Sequence, residues 1–158
     1  MYAVLRIRSP RSKSVKMEDT LEKLRLNKVN HCTVVPEDAP HKGMLNRIKD
    51  IITWGEIDEE TLSKLIEYRS TLDGDVEETI KDQTSYDDIE EFTNALLSGD
   101  VDFDEIEGLK NLFRLHPPRG GYKSVKKPYK TGGSLGYRSQ DINALLQRML
   151  GPEYVQEE

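Results

Sequence analysis

Residues 20–52 read TLEKLRLNKVNHCTVVPEDAPHKGMLNRIKDII, and this run decides the fold. It opens inside an amphipathic helix. Met17, Leu21 and Leu24 recur at helical spacing and predict a helix from about Lys16 to Arg25. Arg25-Leu26-Asn27-Lys28 turns the chain, and Asn27 or Asn30 suits a left-handed position at the helix exit. Val29–Val35 is rich in β-branched residues and reads as a strand. The segment Pro36-Glu37-Asp38-Ala39-Pro40 is a loop, with Pro40 fit for the first turn of a second helix. That helix carries Met44, Leu45, Ile48, Ile51 and Ile52 on one stripe.

Working outward, Tyr2–Arg8 alternates, with Ala3, Leu5 and Ile7 on one face and Tyr2, Val4, Arg6 and Arg8 on the other. It is a strand that needs a partner, and Val29–Val35 is near. Thr53–Ile57 is a short third strand. Residues 1–57 therefore predict an α/β (α+β) core in the order β-α-β-α-β. Beyond it, Asp58-Glu59-Glu60 opens a helix with Leu62, Leu65 and Ile66 inward, which Gly74 ends. Val76–Asp82 is weakly helical, and Asp87–Leu97 is a better helix with Ile89, Phe92 and Leu96 inward. Asn111–His116 reads as a strand. Ser139 or Asp141 caps a last helix with Ile142, Leu145, Leu146 and Met149 as its apolar face.

The net charge of −6 hides three blocks. Residues 1–49 carry +6, residues 50–109 carry −17 and residues 110–158 carry +5. Two basic segments flank an acidic helical insert, which divides the chain at about 57 and 109. Such asymmetry points to an anionic partner for the basic parts. In the first of them, Arg8, Arg11 and Lys13 lie among small hydroxyl residues, a composition that suits phosphate contact. Gly43 sits in the first turns of the second helix, where glycine costs about 1 kcal/mol against alanine. Either a tight packing contact or the close approach of an RNA backbone would justify it. In the last block, Arg119, Lys123, Lys126, Lys127 and Lys130 interleave with Tyr122 and Tyr129 among glycines and prolines. This is an extended basic arm with aromatic platforms, disordered when alone and fit for phosphate contact and base stacking.

Other chemistry is not written in the sequence. His31, His41 and His116 share no spacing that would build a catalytic constellation. The single cysteine, Cys32, excludes an internal disulfide and, placed among valines, reads as a buried inert thiol. Asp100-Val101-Asp102-Phe103-Asp104 begins like a calcium loop, but Glu105 stands where that loop needs glycine and Asn111 where it needs glutamate. The glycines fit neither nucleotide-binding pattern. No stretch is apolar enough to span a membrane, and the N-terminus lacks a secretory pattern. The expectation is a cytoplasmic protein without cofactor, metal or small-molecule substrate.

Arg25-Leu26-Asn27-Lys28-Val29-Asn30-His31, Val34-Val35, Pro40, Gly43-Met44 and Ile48 resemble the large-subunit ribosomal protein family L-thirty, whose eukaryotic relative is L-seven. The continuation resembles its archaeal form: Trp54-Gly55-Glu56, Tyr86-Asp87-Asp88-Ile89, Leu115-His116-Pro117-Pro118-Arg119-Gly120-Gly121 and Gly132-Gly133-Ser134-Leu135-Gly136. The resemblance implies a small antiparallel three-stranded sheet backed by two helices, ferredoxin-like in character, with a C-terminal α+β extension. It implies a structural role in the large ribosomal subunit, on large-subunit rRNA near the 5S rRNA and beside neighbouring ribosomal proteins. The expected RNA contacts are Arg8, Arg11, Lys13, Arg25, Lys28, Asn30 and Gly43 from the core. From the arm they are His116, Arg119, Gly120, Gly121, Tyr122, Lys123, Lys126, Lys127, Tyr129 and Lys130. The rival reading is a protein-interaction module whose acidic helices dock a basic partner.

Overall fold

The computed structural model describes residues 1–8, 15–70, 75–118, 121–122 and 126–150. Within these residues five strands form one sheet: β1 (Tyr2–Arg6), β2 (His31–Val35), β3 (Ile52–Glu56), β4 (Phe113–Arg114) and β5 (Gly136–Tyr137), in the order β4-β2-β1-β3-β5. The central three are antiparallel, as are β2 and β4, whereas β5 joins β3 in parallel. Among the described residues six α-helices accompany them: α1 (Val15–Lys23), α2 (Ala39–Arg47), α3 (Glu59–Arg69), α4 (Val76–Gln83), α5 (Ile89–Ser98) and α6 (Ile142–Gln147).

Both faces of the sheet are covered, so all five residues of β1 are buried. Tyr2, Val4, Ile52 and Trp54 point one way, into a core with Leu21, Leu24 and Leu26 from α1 and its exit and Leu45 and Ile48 from α2. Ala3, Leu5, Cys32 and Val34 point the other way, against Leu62, Leu65 and Ile66 of α3, Phe92 and Leu96 of α5, and Leu145 and Leu146 of α6. The strand period of two thus serves two helical layers. The second core draws on residues from all three charge blocks.

The acidity of the middle block has a local cause. Asp58, Asp75 and Asp88 each accept a backbone N–H from the third residue of the helix they precede, from Thr61 (2.7 Å), Glu78 (3.2 Å) and Glu91 (2.8 Å). Glu59, Glu60, Glu77, Glu78, Glu90 and Glu91 then fill the first turns of α3, α4 and α5, where the helix dipole favours negative charge.

Several boundaries differ from expectation. The second helix ends at Arg47, capped by Ile48, and Ile51 and Ile52 belong to the turn and to β3. Residues after Asn111 pair over only two positions, because the Asn111 side chain takes the place of a strand. It receives the Val34 N–H at 2.9 Å and donates to the Val34 carbonyl at 2.6 Å. The exit of α1 is a double hydrogen-bonded cap, with Leu26 N–H on the Leu21 carbonyl and Arg25 N–H on that of Glu22. Arg25, rather than Asn27, takes the left-handed position with φ +60°, and Asn30 takes another with φ +70°. Residues 126–135, expected as part of a disordered arm, form a closed turn. Gly133 and Ser134 donate to the carbonyls of Pro128 and Lys127, and Tyr129 donates to that of Leu135 at 2.7 Å. Gly133 is required there, since a Cβ would overlap the Lys127 carbonyl. Cys32 is fully buried, and burial pushes its thiol up to about 12. Gly74 lies outside the described residues.

Candidate nucleic-acid interface

The strand registers decide where the basic segments go. Arg6 pairs with Ile52 and Leu5 with Cys32, so the end of β1 meets the starts of β2 and β3. His31 pairs with Arg114, which puts the end of β4 at the same place. Thr53 pairs with Gly136, so β5 also starts there. The segments leading into or out of these strand ends therefore gather at one end of the sheet. They hold Arg8, Lys28, Asn30, His116, Lys126, Lys127 and Lys130, drawn from the first and last charge blocks.

Specific bonds lock the two blocks together at this end. Tyr122 donates its hydroxyl to the Asn30 side chain at 2.6 Å. Leu115 N–H donates to the Asn30 carbonyl at 3.1 Å, and Asn30 N–H to the Arg6 carbonyl at 2.8 Å. Arg8 donates to the Asp50 carbonyl at 2.8 Å. Arg6, nearly buried, donates to the Leu26 carbonyl at 2.7 Å, and burial lowers its pKa. His31 lies among Arg114, Lys28 and Arg6. Its pKa is lowered first by burial and then by these three cations in that order. Its Nδ1 is buried without a hydrogen-bond partner among the described residues.

The family model for "Ribosomal protein L30p/L7e" matches residues 2–52. The protein named "Large ribosomal subunit protein uL30" of Methanosphaera stadtmanae is 43% identical, with 95% of this chain and 100% of that protein covered. Its namesake in Methanoculleus marisnigri is 41% identical over 94% of this chain and 99% of its own length. That of Thermoplasma volcanium is 43% identical over 96% and 94%. The chain belongs to the L30p/L7e family of ribosomal proteins. Membership of this family supports a structural role in the ribosome. The match through residues beyond 52 is to archaeal members, in keeping with the extension past the third strand.

The fold places the expected contact residues unequally. Arg25, Lys28, His116, Lys126, Lys127 and Lys130 are exposed. Gly43 lies on the outer side of α2 with nothing within 4 Å of where a Cβ would stand, so no packing contact among the described residues accounts for it. Asn30 and Tyr122 are partly buried and bonded to each other, and the Tyr122 hydroxyl, its pKa raised by burial, also approaches the Met149 sulfur at 3.7 Å. Gly121 accepts from Arg148 at 2.9 Å. The Tyr129 hydroxyl donates to Asp141 at 2.6 Å, which raises its pKa. Arg11, Lys13, Arg119, Gly120 and Lys123 lie outside the described residues.

Sequence reasoning missed three residues. Arg114 is exposed on β4 beside His31. Its position in a short strand after the acidic block gives no sign of its neighbours. Arg138 is nearly buried, donating to the Thr53 hydroxyl and the Ser134 carbonyl, each at 2.8 Å, with its guanidinium 4.6 Å from the Tyr129 ring centre. It fastens the 126–135 turn to β3. Tyr137 is exposed on the edge strand. Among the described residues no group of three or more His, Cys, Asp or Glu could hold a metal ion, and no helix is long and apolar enough to cross a membrane.

Proposed function

We propose that the basic end of the sheet holds this protein on large-subunit rRNA, near the 5S rRNA and among neighbouring large-subunit proteins. What supports the reading is the convergence, through strand register, of two basic segments that lie far apart in the chain. Lys28, Arg114, Lys126, Lys127 and Lys130 neutralise phosphates, joined by Arg8, Arg25 and His116. Arg11, Lys13, Arg119, Gly120 and Lys123 belong to the same two segments of the sequence and are included as contacts on that ground. Asn30, Gly121 and Tyr122 position the arm rather than face the RNA. Gly43 lets an RNA backbone approach α2 closely. RNA helices are recognised by shape and backbone, so base readout is minor. The division at 57 and 109 separates surface charge: the acidic helices face away from RNA while their apolar sides complete the core.

Two measurements test this. The protein is expected to sediment with the large subunit and to resist a moderate-salt wash, and finding it at the top of the gradient would overturn the reading. Lys126→Ala with Lys127→Ala weakens binding across RNA sequences and lowers the salt slope by about 0.7–0.9 per lost phosphate contact. An unchanged slope would mean that these lysines do not touch phosphate.

A further inference from the structure

An open groove between the 126–135 turn and β5 has a volume of about 530 Å³, within the range of sites that take small ligands. Tyr137 lines it and is 37% exposed. Its ring is held in place. It stands edge-on to Tyr2 with centres 6.2 Å apart, tilted to Trp54 at 6.1 Å, and its hydroxyl donates to Glu56. Tyr129 lines the same groove, pinned through its hydroxyl to Asp141 and stacked with Arg138. Both carboxylates thus accept from tyrosines. Lys130 adds an exposed cation to the groove, and Gly132, at φ +92°, leaves open space where a side chain would stand.

A fixed, exposed aromatic ring beside a lysine suits an unpaired base with its phosphate. A duplex offers no free base face, and the exposed lysine favours an anionic ligand over an uncharged one. We propose that this groove takes one unpaired nucleotide of the bound RNA, its base stacked on Tyr137 and its phosphate against Lys130. The proposal rests on the RNA-binding reading above and names the RNA feature that this part of the surface takes.

Trp54 is the sole tryptophan and touches Tyr137, so it reports on the groove. The full chain is titrated with a short single-stranded oligoadenylate and, separately, with an RNA duplex of equal length. The single strand is expected to quench Trp54. Tyr137→Ala is expected to weaken single-strand binding about 5- to 150-fold, the range of one lost stack. Tyr137→Phe keeps the ring and restores binding, and duplex affinity does not change in either variant. If Tyr137→Ala binds the single strand as wild type does, or loses duplex binding equally, the groove is not a base site while the RNA reading stands. If the wild type binds neither RNA, the RNA reading fails and the groove with it. Should Tyr137→Ala fail to fold, Tyr137→Leu, which keeps apolar volume without an aromatic face, decides: a loss confined to the single strand supports the groove, and an equal loss on both RNAs or none on either overturns it.

Discussion

The carbonyl oxygen of Ser139 occupies the space that a Cβ at Gly55 would need. Gly55 is in the middle of β3, where glycine weakens a strand, and Ser139 is held at φ +50°. The two residues are one device: the missing side chain lets the segment before α6 lie directly on the sheet.

Gly55→Ala is therefore expected to destabilise by about 3 kcal/mol or more, because the clash is with backbone and the strand has no room to retreat. In a chain of this size each kcal/mol moves the thermal midpoint by about 2–4 °C. A midpoint within a few degrees of wild type would show that residues 139–142 can shift aside.

Gly43→Ala should act in the opposite direction on the free protein. The position is helical, exposed and unobstructed, so alanine adds about 0.5–1 kcal/mol of stability, read by urea denaturation. The same variant is expected to bind large-subunit rRNA more weakly. If stability rises and binding is untouched, nothing approaches the backbone at this point.

Arg138→Met removes two hydrogen bonds from a nearly buried guanidinium and strands their acceptors. A loss of about 2–3 kcal/mol is expected. Amide exchange should accelerate at Tyr129 and Leu135, whose N–H groups close the 126–135 turn, before it does in β1. Uniform acceleration would mean that Arg138 supports the whole sheet rather than this turn.

His31 gives a pH dependence. Its pKa in the fold lies below the ordinary 6.5, first through burial and then through Arg114, Lys28 and Arg6. The unfolded chain takes up the proton first as pH falls. The stability that neutral His31 contributes is present above 6.5 and is lost as pH drops below that value through the folded pKa. His31→Gln should flatten this part of the stability curve measured between neutral and mildly acidic pH. An identical slope in the variant would assign it to the carboxylates.

The sequence by itself determined the local elements and the family. The β-α-β-α-β order follows from periodicity, since apolar spacing in residues 2–57 matches the helix and strand repeats directly. The acidic helices follow from their aspartate caps and inward leucines. The residues of Arg25–His31 and of Leu115–Gly121 carry the family resemblance. Only the tertiary structure decided what those elements share. That Asn30 bonds Tyr122, that β5 runs parallel to β3, and that Arg138 is buried against Thr53 are pairings between residues about 80 to 90 positions apart, and no local pattern encodes them. The sequence shows the Gly- and Lys-rich arm as unstructured because its order comes from backbone bonds across a turn and one buried arginine, not from a repeating apolar face. The two basic segments likewise become one surface only through strand register, which local composition does not specify.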